Sequence, residues 1–333
     1  MSSPGQWLTV LTVALTGMAG LGGCMISMPG TSHRGPLPDL TERERRLGHE
    51  LAADVRMLAE TIGERNVWRA AALDRAAAFI EERLTQAGHA VRRHSYPLAG
   101  RHWDNLEVEV PGRARPQQIV LVGAHYDSVR GSPGANDNAT GVAAVLALAR
   151  AFAGRPAPRT LRLVAFVNEE PPLFQTAAMG SLVYATRSRE RGERIVAMVA
   201  LDGLGYYADA PRSQRYPFPF SLFYPSTANF VAFVGNTSSR ALVRQTIGAF
   251  RRSAAFPSEG GALPGVVPGV GWSDHWAFWQ QGYPAIMVTD TLPFRYGPYH
   301  GADDTAEKVD YPRLARVVAG LEKVVETLVT TAD

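Results

Sequence analysis

Two histidines and several carboxylates of this 333-residue chain stand where they could hold divalent cations. His125 and Asp127 follow the apolar run 118–124, Glu169 and Glu170 follow 161–167, and Asp202 follows 195–201. His300 lies beyond a fourth run at 285–289, and Asp137 lies in the loop Gly134-Ala135-Asn136-Asp137-Asn138. Each has an ordinary explanation by itself. A His-x-Asp pair is often a hydrogen-bonded loop pair, adjacent glutamates are usually solvated, and an Asp before a helix is usually a turn or cap residue. Asp202 before a glycine reads as a turn, and His300 as a surface side chain. Taken together they form a coherent donor set. Two histidines and three carboxylates suit two zinc ions with one carboxylate between them. The single cysteine, Cys24, argues against an iron–sulfur or soft-metal site and makes an intrachain disulfide impossible. Asp127 could accept the second N–H of the His125 imidazole. Of the two glutamates, one could ligate while its neighbour stays free as a base.

The elements that must position these residues are legible in the apolar periodicity. The four runs are short and continuous, as in strands buried on both faces. Helical patterns lie at 139–153, around 179–190 and at 311–330. This alternation predicts an α/β fold, a mainly parallel central sheet with helices on both faces, in a three-layer sandwich. Such sheets bind ligands beyond the carboxyl ends of their strands, where His125, Glu169, Glu170, Asp202 and His300 would meet. Two earlier helical patterns, 41–62 and 67–88, carry Leu47, Leu51, Val55 and Leu58, then Leu73, Ala77, Ile80 and Leu84, at helical spacing. Residues 203–270 are less regular and rich in aromatics, with a Gly/Pro-rich stretch at 259–271. They predict an insertion that shapes a pocket, with a strand at 229–235 and a helix at 238–252. A single domain is thus expected over 41–333.

Several blocks resemble the signature segments of metallopeptidase family 28, which includes bacterial leucyl aminopeptidases, aminopeptidase S and glutaminyl cyclases. They are Gly123-Ala124-His125-Tyr126-Asp127-Ser128, Gly134-Ala135-Asn136-Asp137-Asn138-Ala139-Thr140-Gly141 and Val167-Asn168-Glu169-Glu170. Ala200-Leu201-Asp202-Gly203, Ser273-Asp274-His275, and His300 with Asp304-Thr305 follow in the same order, so the likeness runs over about 45–330. The resemblance implies a zinc-exopeptidase fold of the phosphorylase/hydrolase-like kind, two zinc ions per chain, and peptide or protein N-termini as substrate. It implies that Glu169 is the general base and acid, that Asp127 assists catalysis, and that His125 and Asp202 hold one ion. Glu170 and His300 would hold the other, and Asp137 would bridge them. The chain departs from the family where Glu170 is followed by Pro171-Pro172 and a longer loop to Gly180-Ser181; the proline pair should stiffen the wall beside the base.

Ser273-Asp274-His275 invites a serine-hydrolase reading, but adjacent side chains cannot form a linear relay and no Gly-x-Ser-x-Gly elbow is present. The segment reads instead as a helix start, with Asp274 as N-cap and Trp272, Asp274, His275 and Trp276 as pocket candidates. With Phe218, Phe220 and Phe223, the tryptophans predict an apolar first residue in the substrate. The alternatives are a single-zinc glutaminyl cyclase and a peptide- or metal-binding lipoprotein without activity; an intact Glu169 argues against the latter.

Residues 1–23 hold no charged side chain and contain the apolar run 7–15, too short for a bilayer but suited to a signal peptide. The run leads into Leu21-Gly22-Gly23-Cys24, which resembles a bacterial lipobox although its first residues lack Lys and Arg. The expectation is an exported protein, lipidated at Cys24, anchored to a membrane facing the periplasm or cell exterior, with 25–40 as a flexible tether. Net charge is only +3, without a basic stripe, so nucleic acid is not an expected partner, and no protein partner is indicated.

Overall fold

The computed structural model describes residues 25–331, so the apolar leader and Cys24 lie outside the described residues. Eight strands form one sheet: β1 (Arg92–Leu98), β2 (Arg101–Val110), β3 (Gly112–His125), β4 (Ala157–Phe166), β5 (Arg194–Leu201), β6 (Val231–Asn236), β7 (Ser258–Leu263) and β8 (Ala285–Thr289). Their spatial order is β1-β2-β4-β3-β5-β8-β6-β7. The centre, β4-β3-β5-β8, is parallel, as is the β6–β7 pair. Antiparallel pairing joins β1 to β2, β2 to β4 and β6 to β8.

Alternation along the central strands explains the three layers. In β3, Val120, Val122 and Ala124 enter one apolar cluster, while Ile119 and Leu121 enter the other. In β4, Leu163 and Ala165 divide from Val164 and Phe166 in the same way. Successive side chains leave opposite faces of a strand, so a sheet covered on both sides reads as a continuous apolar run. The larger face is covered by α1 (Glu42–Arg56), α2 (Ala70–Gln86), α3 (Thr140–Phe152), α5 (Arg240–Ser253) and α7 (Tyr311–Thr330). The other carries α4 (Gly180–Glu190) and α6 (His275–Gln280).

Helix ends are marked by local chemistry. Thr41 and Glu44 close a capping box at the start of α1, and the Asp310 side chain accepts from the Arg313 N–H at the start of α7. Continuous with α1, a wider turn runs over Met57–Ile62 and stops at Gly63.

Three regions differ from the sequence expectation. Strand β1 carries exposed and charged positions and has no sustained alternation, so its pairing with the alternating β2 is visible only in the fold. Residues 203–270 hold the expected strand and helix as β6 and α5, but β6 and β7 belong to the central sheet itself and α5 covers its larger face, with the less regular 203–230 above. In β7, Gly260 and Gly261 hide the strand signal, and parallel pairing with β6 supplies it. Residues 27–38, expected as a free tether, lie along the body. Arg251 donates to the Pro29 and Gly30 carbonyls, Ser258 N–H donates to Ser32 Oγ, and Leu37 packs against the core. Among the described residues no helix is long and apolar enough to cross a membrane.

Gly180 shows how tightly the sheet edge beneath the glutamates is built. A Cβ there would meet the Val167 carbonyl oxygen at 2.1 Å and Asn105 Oδ1 at 2.6 Å. Because backbone cannot give way as a flexible side chain does, Gly180→Ala should lower stability by about 2 kcal/mol in urea unfolding. A midpoint equal to the wild type would show that this contact relaxes.

Candidate metal centre

The four central strands end side by side, and each delivers a polar residue to the same edge. The loop between β3 and α3 brings in Asp137. Its turn needs the left-handed conformation of Gly134 (φ +62°), where a Cβ would also collide with the Asp137 carbonyl oxygen at 2.5 Å. The Asp137–Asn138 peptide is cis. Two ligand groups result, His125–Asp137–Asp202 and Asp137–Glu170–His300, with the ligand atoms of each within 4.8 Å of one another.

Asp137 belongs to both groups. Its Oδ1 is 3.4 Å from His125 Nε2 and its Oδ2 is 3.2 Å from His300 Nε2. Asp202 Oδ1 is 3.7 Å from His125 Nε2, and Glu170 Oε2 is 3.2 Å from His300 Nε2. Glu169 stands outside both groups, with Oε2 3.9 Å from His125 Nε2. All five expected ligands and Glu169 are therefore brought together.

The electrostatics of this edge call for cations. Burial pushes Glu169 well above the usual carboxylate range, and Glu170, Asp274 and Asp202 add to it against His125. Burial, then Asp137, push Glu170 up to about 7. Burial would lower His125, but Glu169, Asp127, Asp137 and Asp202 outweigh it and raise the imidazole well above its ordinary value. Asp202 Oδ1 is buried without a hydrogen-bond partner. An orphaned buried carboxylate oxygen among like charges is costly, and divalent cations with this donor chemistry would relieve it. The residues present fit the zinc ions expected from the donor set.

Asp127 does something other than the sequence suggested. Its carboxylate is 3.6 Å from His125 Nδ1, beyond hydrogen-bond reach, and the nearer acceptor for that nitrogen is the Asp127 backbone oxygen at 3.3 Å. The two carboxylate oxygens instead accept the Glu169 and Glu170 backbone N–H groups at 3.1 and 3.0 Å. Asp127 thereby fixes the base candidate and the ligand candidate at once.

Other supports were not legible as site residues. Asp304 accepts the Asn136 and Asp137 N–H groups and a hydrogen bond from Tyr296. Asp290, at the end of β8, accepts from Asn136 Nδ2 and the Tyr206 N–H; its place directly after a strand was an available signal. Asn138 donates to the Leu201 carbonyl and accepts from the Gly141 and Gly203 N–H groups, tying the Asp137 loop to the end of β5.

Arg65, between the two N-terminal helices, left no sequence signal. It is fully buried and donates to the carbonyls of Tyr126, Pro133 and Gly134, and more distantly to Leu58 and Gly63. One guanidinium thus joins the end of β3 to the loop bearing Asp137. Burial lowers it to about 10, with Asp127 and Asp304 opposing.

A cavity of about 390 Å³ opens beside the acidic cluster. Trp272 and Phe220 line it, as do Pro171 and Phe174 of the proline loop, which Gln175 ties to the Gly271 carbonyl. Asp274, His275 and Trp276 do not line it. Asp274 occupies the first position before α6 without a side-chain capping bond, its two oxygens buried and unpartnered. His275 Nε2 faces the Val270 carbonyl at 2.7 Å, and Trp276 packs on the smaller apolar cluster. Phe218 and Phe223 are exposed and lie outside the lining.

Residues 105–325 match peptidase family M28. The chain belongs to that family. The protein is a hydrolase of peptide bonds. The uncharacterized protein YfbL of Escherichia coli (strain K12) is 37% identical over 281 residues, covering 82% of this chain and 85% of that one. BSAP, a zinc aminopeptidase from Bacillus subtilis, superposes with a TM-score of 0.67 at 15% identity, over 88% of this chain and 97% of its own. A glutaminyl cyclase from Fimbriiglobus ruber superposes at 0.61 with 18% identity, over 88% and 97%. At these identities the two structures share the M28 fold with this peptidase.

Removing the Arg65 fork would strand several buried carbonyls at the end of β3 and in the Asp137 loop. Arg65→Met should cost about 3–5 kcal/mol in chemical denaturation, and Arg65→Lys less, since an ammonium satisfies some of the same oxygens. Equal stability of Arg65→Met and the wild type would show that the carbonyls find other donors.

Proposed function

We propose that this M28 peptidase is a zinc-dependent aminopeptidase with two ions per chain, removing single residues from free peptide N-termini. The observation that carries the reading is Asp137, shared between two ligand groups, with Glu169 beside them and outside both. His125 and Asp202 would hold one ion, and Glu170 and His300 the other, with Asp137 between. Zinc, when bound there, supplies Lewis acidity toward a carbonyl and lowers the pKa of water. The likeness to a zinc aminopeptidase supports the choice of metal.

The remaining chemistry belongs to the chain. Glu169 takes a proton from the attacking water and returns it to the leaving amine. Its burial among carboxylates strengthens its hold on a proton, as a group that must carry one between two steps requires. Asp127 keeps Glu169 in place through the backbone N–H, so the base is aimed by main chain rather than by a mobile partner. The acidic edge favours a terminal ammonium, and the apolar cavity next to it favours the first side chain.

We further propose that the chain is exported and anchored by a lipid on Cys24. Because Ser27, Pro29 and Ser32 are tied to the body through Arg244, Arg251 and Ser258, the anchor would hold the peptidase close to the membrane surface. Cys24→Ser should release the protein from the membrane fraction with its peptidase activity intact. Equal retention of both forms would make the apolar leader itself the anchor.

Two peptides differing only in N-acetylation test the activity. Mass spectrometry should record stepwise loss of single residues from the free form alone, abolished by Glu169→Gln while the metal stays bound. Internal cleavage of the acetylated form would overturn the aminopeptidase reading, and loss of one ammonia from an N-terminal glutamine would replace it with cyclisation.

A further inference from the structure

The cavity contains one charged group that neither metal binding nor proton transfer uses. Its floor is one face of the β8-β6-β7 part of the sheet, where Thr289, Ala232 and Glu259 lie in register in a single row. Asp202 stands opposite Thr289 on the next strand, its N–H donating to the Val288 carbonyl. Adjacent strands are about 4.8 Å apart, so Glu259 begins three steps, or roughly 14 Å, from the Asp202 backbone. Between them the walls are apolar, formed by Phe230, Val234, Leu263 and Met287. Ala232 and Gly261 keep the floor low; a Cβ at Gly261 would meet Tyr224 Oη at 2.9 Å.

The Glu259 carboxylate makes no hydrogen bond or ion pair with any described residue. The neighbouring Tyr216 and Tyr224 hydroxyls donate to the Pro225 and Gly260 carbonyls. Arg251 donates to Ser258 and to the Pro29 and Gly30 carbonyls; Ser258 precedes Glu259 in the strand and so faces the other side of the sheet. Burial, more than the distant pull of Arg251 and Arg34, sets the environment of Glu259 and raises its proton affinity. A partly desolvated carboxylate at the end of an apolar trough is completed by a cation that arrives with the ligand.

We propose that Glu259 is the specificity-determining residue of the cavity and that the preferred first residue of the substrate is lysine or arginine. The proposal rests on the aminopeptidase reading. The long apolar stem lies along the walls while the charged tip pairs with Glu259. The Asp202 and Glu259 side chains each reach a few Å inward, leaving roughly 6–8 Å, the length of an extended lysine or arginine side chain. A leucine would fill the near part of the trough and leave the carboxylate unanswered, so the cavity is selective for more than the apolar first residue its aromatic content suggests.

The test compares lysyl, norleucyl and leucyl p-nitroanilides, because norleucine keeps most of the lysine stem without its charge. The wild-type enzyme should favour lysyl over norleucyl by about tenfold or more in kcat/KM. Glu259→Gln should lower the lysyl value by about ten- to a hundredfold and leave the norleucyl value nearly unchanged. A wild-type lysyl rate no higher than norleucyl, or an equal fall for both in Glu259→Gln at full zinc content, overturns the proposal and leaves the aminopeptidase reading standing. The wild-type ratio decides by itself if the variant does not fold. Hydrolysis of none of the three overturns the aminopeptidase reading, and this proposal falls with it.

Discussion

Four carboxylates, those of Asp137, Glu169, Glu170 and Asp202, are buried together at one edge of the sheet, and their mutual repulsion governs how the rest of the site is built. Like charges out of water are tolerable only when cations or directed donors answer them. His125 and His300 answer Asp137 from opposite sides, one at each oxygen. The shared position of Asp137 makes two cation sites out of a single cluster. Glu169 is left outside them, with its proton affinity raised first by burial and then by the neighbouring carboxylates.

Holding such a cluster rigid falls mainly to the backbone. Asp127 grips two consecutive N–H groups beneath Glu169 and Glu170, and Asp304 grips two beneath Asp137. Arg65 collects carbonyls from β3 and from the Asp137 loop, while Asn138 ties that loop to the end of β5. Acids therefore hold N–H groups while a buried base holds C=O groups. The ligands are positioned through main chain that is itself pinned.

The central strands and the residues at their ends were readable because burial on both faces leaves long apolar runs, and a polar residue breaking such a run is conspicuous. His125, Glu169, Glu170 and Asp202 were found that way, His300 by its place beyond the fourth run and Asp137 by its place in the loop before a helix, in agreement with the family's order of blocks. Strand β1 and the glycine-bearing β7 lack that contrast; β1 is paired through its hairpin with β2, and β7 through β6, with α5 between them in the chain. Arg65 was invisible for a different reason. A single arginine between two helices looks solvated, and only the fold shows it to be fully buried against carbonyls some sixty residues away, a separation of 61 for Tyr126 and 69 for Gly134. Asp274, by contrast, looked like a cap and is a buried carboxylate with no capping bond.

The central claim is that Asp137 divides the acidic cluster into two cation sites. Anomalous diffraction at the zinc edge, from crystals of the zinc-loaded protein, tests it most directly. The account predicts two peaks of comparable occupancy flanking the Asp137 carboxylate, one beside His125 and Asp202 and the other beside Glu170 and His300. A single fully occupied peak, with the second group of side chains turned away from it, would contradict the account.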